Sequence, residues 1–466
     1  MNLQTIIVQW TFLPWHYVLG IVILAVLIKR RYLSRLRGIP GPFLGSFSNF
    51  WKIQQILNGH TEEVLLALHR KHGDFVRIAD NGVSVSHPDA VRHILHARIN
   101  KVCLLGYQRI GQNIPDYRFV NLMSETDPRR HIEKGKSVAA GYALSNIIRS
   151  EPYVDDIIRR LEREVTFSQS FGFVDTGVDI RNANANSRKL GLYVAVMGEF
   201  LWLPNLTIGN PLMTITGVLP GSHLFDTSVA AVNSRKKNPG ARNDMMERWL
   251  NVHNSNPERM SEKDIFAAAT TNVGAGAETV SASLQALVYY LLKNPLYMGW
   301  LKNEIDTAQR RGELSPEEGA NSRILLQIKE AYRFHPPIAF NLPRVVPQGG
   351  LTIRGQYFHA GTILSVNPWI IHRNPEIFGS GSDSFNPERW LGMEKAKPMD
   401  FFLVHWGAGY NQCPGRNLAH FEINKVAAML IRDYDIELVA PKKEWSFKTH
   451  FITTPCNWPR KMRRRD

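Results

Sequence analysis

The sequence predicts a mainly α-helical protein with small β-sheets, preceded by a single N-terminal transmembrane helix. Three observations carry this. The first 28 residues contain no Lys, Arg, Asp or Glu and include the apolar run Trp10–Ile28, nineteen residues long, close to the ~20 that cross a bilayer core. Ser261–Pro295 reads as one unbroken helix. Most later segments carry helical spacing too, and alternation is confined to short stretches such as Phe75–Pro88.

Taken in order, the apolar run is followed at once by Lys29, Arg30, Arg31, Arg35 and Arg37, which leaves the rest of the chain on the cytoplasmic side. A cleaved signal peptide fits poorly, because a basic n-region and a small-residue cleavage pattern are both missing. The alternative is a buried helix of a soluble domain. Pro40 and Pro42 in "IPGP" fix φ and bar helix continuation, so residues 29–45 read as a basic linker and stiff hinge. Residues 46–466 show no repeat and no second linker, which fits one catalytic-sized domain. Within it, "FVRIADNGVSVSHP" reads as a hairpin with an Asn-Gly turn.

Composition narrows the function. The 466 residues are 44% hydrophobic with net charge +15, which suits an anionic membrane surface, an acidic protein partner or nucleic acid. No nucleic-acid-binding motif accompanies the charge, so nucleic acid is the weakest of these. Cys103, Cys413 and Cys456 are far apart and lack CxxC spacing, which argues against a disulfide framework or a zinc site.

Two stretches carry chemistry. From Ile265 to Leu292 the only charged residue is Glu278; a helix this apolar on every side is expected to be buried, and a lone carboxylate in it is either satisfied by a neighbour or used. The second stretch is "WGAGYNQCPGR", where Cys413 precedes Pro414, Gly415 and an amphipathic helix. A thiolate there faces free backbone N–H groups and the positive helix end, which is expected to lower its pKa. Gly407, Gly409 and Gly415 let the backbone turn and approach a flat object. A small buried hydrophobe and a thiolate ligand to a planar cofactor both remain open from this stretch alone.

Trp406, Gly407, Gly409, Cys413 and Gly415, followed by Leu418, Ala419 and Glu422, resemble the cysteine-ligand loop of the cytochrome P-450 superfamily. Glu330 and Arg333 in "KEAYRFHPP" resemble its ExxR motif, "FNPERW" with Arg389 its third network member, and "AGAET" with Glu278 and Thr279 the signature of its long helix. The hinge and the segment "RVVPQGGLTIRGQYFHAGTILSVNPWIIHRNPEIFG" are similar to the fungal subgroup that includes pisatin demethylase. The resemblance implies the cytochrome P-450 fold and haem b, with Cys413 as axial iron ligand. It places His131 and Arg344 at the propionates, Glu278 and Thr279 in proton delivery, and Ile338, Ala339, Phe340, Leu342, Phe451 and Ile452 along an apolar substrate pocket.

The implied activity is a membrane-anchored monooxygenase of the endoplasmic reticulum, catalytic domain on the cytoplasmic side. Its partners would be an NADPH-dependent reductase, membrane lipid and a lipophilic small molecule, in fungal secondary metabolism. A thiolate ligand suits this, because it favours O–O cleavage. A haem-thiolate isomerase or dehydratase, and a truncated non-catalytic product, are the alternatives.

This chain departs from the family's pattern in several places. Asn411 and Gly135 stand where arginines are usual, leaving Lys134 or Lys136 as substitutes; Trp406 replaces phenylalanine and Val280 a second hydroxyl. Between Glu164 and Val165 the chain passes directly across what is, in the family, a helix end, a loop and most of another helix. Thr279 bonding only to its own helix is the alternative to a relay.

Overall fold

The computed structural model describes residues 15–101, 121–149, 163–164, 169–170, 183–200, 222–238, 244–312 and 323–465. Helix α1, Trp15–Tyr32, buries none of its side chains and ends in Lys29, Arg30 and Arg31. Among the described residues no helix is long and apolar enough to cross a membrane; the start of the apolar run, Trp10–Pro14, lies outside them.

The proline segment is docked onto the domain. Leu36 and Ile39 are buried in the core around Val83 and Leu364, and Arg77 N donates to Pro40 O at 2.8 Å. The buried Arg77 guanidinium then reaches back to the carbonyls of Arg30 and Asp80, each at 2.7 Å.

The principal sheet has the order β1-β2-β4-β3, with β1 Phe75–Ala79, β2 Gly82–Val85, β3 Leu342–Val345 and β4 Ile363–Val366. β1 and β2 are antiparallel, β2 and β4 parallel, β4 and β3 antiparallel. The expected hairpin is present, but its turn is Asp80-Asn81, because Gly82 is already paired with Ala79 after a register shift in β1.

Helices make up most of the remainder: α2 Phe50–Asn58, α3 Thr61–His72, α4 Pro128–Ala139, α5 Leu144–Arg149, α6 Ala183–Met197, α7 Ser222–Lys237, α8 Met245–Ser255, α9 Glu262–Lys293, α10 Pro295–Arg310, α11 Arg323–Phe334 and α12 Arg416–Asp433. A second hairpin, β5 Ser446–Thr449 with β6 Thr453–Cys456, lies near the C-terminus.

α9 is the axis of the helical part. Ser261 and Asp264 form the expected capping box, satisfying two donors that a helix start leaves free. Its first turns pack Ile265 and Ala269 against Trp249, Met246 and Val232, and its last turns pack Leu287 and Leu291 against Ile328, Tyr332 and Ala427. The middle is different. No residue from Thr271 to Ser281 is buried, and Ala275, Ala277 and Ser281 are exposed. Ala275 and Ala277 are about 200° apart around the axis, so the helix is uncovered on two nearly opposite sides. Full burial is therefore confined to the stretches toward the ends of the helix, while the central residues are mostly part-buried and lie across from the cysteine loop.

Candidate haem and catalytic site

The site is built from α11 outward. Glu330 and Arg333 are fully buried and paired, Nη2 to Oε1 at 2.8 Å and Nε to Oε2 at 3.0 Å. Arg389 Nε and Asn386 N add bonds to Oε1 at 3.0 and 2.8 Å, and Trp390 Nε1 donates to Oε2 at 2.8 Å. Arg333 Nη1 donates to the carbonyls of His372 and Ser382 at 2.6 and 2.7 Å. The three-residue charge network read from the motifs is thus assembled in full.

His372 carries this network to the cysteine loop. Val404 N donates to its Nε2 at 3.0 Å, and burial holds the ring neutral with a pKa pushed down to about 3. Tyr332 stacks on His405 at 4.4 Å and meets Trp406 edge-on at 5.2 Å. Trp406 O then accepts from Cys413 N at 2.7 Å. Two glycines in the loop are obligatory: Gly407 (φ 72°) has no room for a Cβ against Asn411 O, nor Gly409 (φ 62°) against Leu95 O. Gly415, at φ −77°, has ordinary space beside Cys413 Sγ and the Tyr142 ring.

Cys413 keeps an exposed face two residues before Gly415, the N-cap of α12, and protein crowds its other sides. Contrary to the expectation from the helix end, burial by its surroundings pushes the thiol above its ordinary value; the N–H groups of Gly415 and Arg416 and the Arg416 charge oppose this without overcoming it. A metal ion reverses the balance, since a coordinated thiol is deprotonated outright.

Beside the loop is a cationic recess. Arg344 is buried, its Nη1 bonded to Pro343 O at 3.0 Å and its Nε without a partner among the described residues. Its β3 backbone bridges that of Lys101, whose Nζ donates to Leu122 O at 3.3 Å. His131 is buried with Nδ1 unpartnered among the described residues; burial, followed by the nearby charge of Lys101, pushes its pKa down to about 4. Lys134 pairs with Glu125 at 3.2 Å, whereas Lys136 is exposed. One buried cation with an unmatched donor, Arg344, together with the nearby Lys101 and the unpartnered ring nitrogen of His131, fits a dianionic group such as the propionates of haem. Of the two lysines, Lys134 is the one whose charge is felt at His131.

Across from the loop lies the middle of α9. Tyr142 connects the two, its hydroxyl bonded to Asn272 Oδ1 and its ring beside Gly415. A Cβ on Gly276 would meet nothing within 4 Å. Thr279 Oγ1 donates to Ala275 O at 2.8 Å. Glu278 Oε1 is buried without a partner among the described residues. Burial raises its pKa, while Ser187 and Arg188 of α6 act in the opposite direction. The two residues expected to form a relay therefore lean on different elements.

Of the expected lining residues, Phe340 and Ile338 pack with Ile56 of α2 and Ala195 of α6, and Phe451 lies 6.2 Å from Phe340 between ring centres. Ala339 is fully buried and Ile452 partly so. Leu342 packs into the core of the principal sheet instead. Sequence reasoning missed Lys101, Tyr142, Asn272, His372 and Trp390, although Trp390 lies inside "FNPERW", His372 inside the segment ending "NPWIIHRNPEIFG" and Asn272 just before "AGAET".

The comparisons agree with this geometry. The sequence profile of the cytochrome P-450 family matches residues 222–457. Cytochrome P-450 monooxygenase cicH of Emericella nidulans is 32% identical, covering 94% of this chain and 95% of the relative. Cytochrome P-450 monooxygenase gsfF of Penicillium aethiopicum is 27% identical over 91% and 92%, and pisatin demethylase of Fusarium vanettenii 27% over 95% and 93%. The chain belongs to the cytochrome P-450 family; it is a monooxygenase of the fungal group, an oxidoreductase whose cofactor is haem. The cicH alignment runs over 484 positions against 466 residues here, so that relative carries residues opposite gaps in this chain.

Proposed function

We propose that this chain is a membrane-anchored monooxygenase that oxidises a lipophilic small molecule by hydroxylation, epoxidation or oxidative dealkylation, in fungal secondary-metabolite formation. The observation that carries the reading is the continuous set of contacts from Glu330–Arg333 through His372 and Val404 to the Cys413 loop. It holds one sulfur in place opposite the open middle of α9.

Haem, when bound, supplies reductive activation of O2 with electrons from an NADPH-dependent reductase. The protein's part is to hold and to protonate. Cys413 Sγ would ligate the iron, and Arg344, His131 and Lys101 would hold the propionates. Glu278 Oε1 can take up a proton, because it is buried, has free acceptor capacity and resists ionisation more than an ordinary carboxylate. Thr279 Oγ1 gives its hydrogen to Ala275 O and keeps its lone pairs for an incoming water. Ile338, Ala339, Phe340, Phe451 and Ile452 offer the substrate no charge, which selects an apolar one.

The apolar run Trp10–Ile28 supports an anchor in the endoplasmic reticulum membrane. The net charge of +15 supports docking of an acidic reductase and contact with anionic headgroups. The test is NADPH oxidation by haem-loaded protein in vesicles with and without added reductase. The account expects reductase-dependent consumption; its absence in protein that holds haem would favour an isomerase or dehydratase.

A further inference from the structure

We propose that Glu62, a buried side chain at the joint between α3 and β5, is a positioning residue for the tip of the β5–β6 hairpin, residues 450–452, and that a charge placed there releases Phe451 and Ile452 from the substrate side. The inference rests on the reading of that side given above.

The hairpin is pinned to the α2–α3 corner by backbone and ring contacts. Thr449 N donates to Gly59 O at 2.7 Å, and Thr453 N to Pro337 O at 2.8 Å. His60 bridges Thr449 in parallel register, and His450 Nδ1 lies 2.9 Å from Ile56 O. A Cβ on Gly59 would lie 3.3 Å from Lys448 and 3.4 Å from His450. The tip itself touches α6, with Phe451 Cβ at 3.8 Å from where Gly191 would carry a Cβ.

Glu62 sits at the centre of this joint. It is fully buried, and neither carboxyl oxygen has a hydrogen-bond partner among the described residues. The groups facing it come from each packed element. Glu63 and His60 flank it at the start of α3, paired with each other at 3.6 Å. Thr449 faces it from β5, where Lys448 and His450 are the neighbouring polar residues. Arg373 acts from behind the short helix 368–371, but its guanidinium is committed to Phe334 O at 2.6 Å and to the face of Trp369 at 3.7 Å. A buried carboxylate without donors is costly, so burial pushes its pKa up to about 8, with the nearby Arg373 charge among the influences that oppose this. Above that, the joint must open to admit water.

The test is hydrogen exchange by mass spectrometry on the full chain at about pH 6 and about pH 9.5, corrected for intrinsic rates. Wild type should lose roughly tenfold protection in peptides covering 56–62 and 446–456, with a midpoint near 8. Peptides covering β1 and β2 should not change, and Glu62→Gln should keep its protection throughout. Retained protection in wild type, or equal loss in Glu62→Gln, overturns the proposal. The wild-type series decides by itself if the variant fails to fold, and none of it depends on turnover, so it stands apart from the assignment of activity. In haem-loaded protein, the spectral Kd for phenylimidazole should weaken severalfold over the same pH range in wild type only; an unchanged Kd removes the positioning role.

Discussion

Replacing Glu330 by Gln tests how much the charge network behind the cysteine loop contributes. The carboxylate accepts from Arg333 twice, from Arg389, from Trp390 Nε1 and from Asn386 N, all within 3.0 Å. Glu330 and Arg333 both have 0% side-chain exposure. Gln keeps the shape but removes the charge, and its amide directs two hydrogens at groups that are themselves donors. Breaking a buried pair by removing one partner costs about 3–5 kcal/mol, because the remaining cation is left uncompensated. Arg333 keeps its bonds to the carbonyls of His372, Ser382 and Ser384, which places the loss toward the lower end, about 3 kcal/mol. That is a large share of the 5–15 kcal/mol of a typical domain. The assay is the urea midpoint of the haem-loaded protein together with haem retained after gel filtration. Both should fall, since His372 links this network to Val404. A midpoint displaced by less than about 1 kcal/mol, with haem retained in full, would refute the reasoning.

Arg344→Ala should lower haem retention severalfold, because Asn411 and Gly135 leave few cations for the propionates; retention equal to wild type would remove Arg344 from the recess. Thr279→Ala should cost less than about 1 kcal/mol of stability, since its hydroxyl bonds back within its own helix, to Ala275 O and Gly276 O. It should nonetheless divert reducing equivalents into peroxide, and unchanged coupling would exclude Thr279 from proton delivery. Stability should fall as pH rises from 4.5 toward about 8 and level off above, because the folded chain holds the Glu62 proton more tightly than the unfolded chain does. The full effect is on the order of 5 kcal/mol; a flat thermal-unfolding profile in wild type, or an equal slope in Glu62→Gln, would contradict it.

The parts of the site legible in the sequence are those fixed by local geometry. Glu330 and Arg333 are one helical step apart on one face, and Cys413 stands at a loop-to-helix junction whose glycines state their own backbone demands. The fold class was legible for the same reason, through the capping box of α9 and the alternation in β1 and β2. Contacts across long separations were not. Lys101 meets Arg344 only because β3 runs beside it, and Ser187 and Arg188 reach Glu278 only because α6 lies over α9. Burial reversed one local inference: the helix end at Cys413 favours a thiolate, but desolvation by the surrounding protein is larger. The proline segment read as a hinge because Pro40 and Pro42 stop a helix, whereas the Arg77 contacts that dock it are invisible in its own residues. The open middle of α9 was also hidden, since apolar composition signals burial and does not say what covers each side. The alignments with two relatives are longer than this chain, so those relatives carry residues opposite gaps in it; of the Glu164–Val165 junction, the second residue lies outside those described.

The central claim is that Cys413 is the sulfur ligand of a haem enzyme. The reduced carbon monoxide difference spectrum of the haem-loaded wild type and of Cys413→Ser tests it most directly. The account predicts the red-shifted Soret band of thiolate ligation in wild type and its loss in the variant, because a neutral hydroxyl cannot replace the thiolate as donor. The same band in both proteins, or its absence from wild type that has taken up haem, would contradict it.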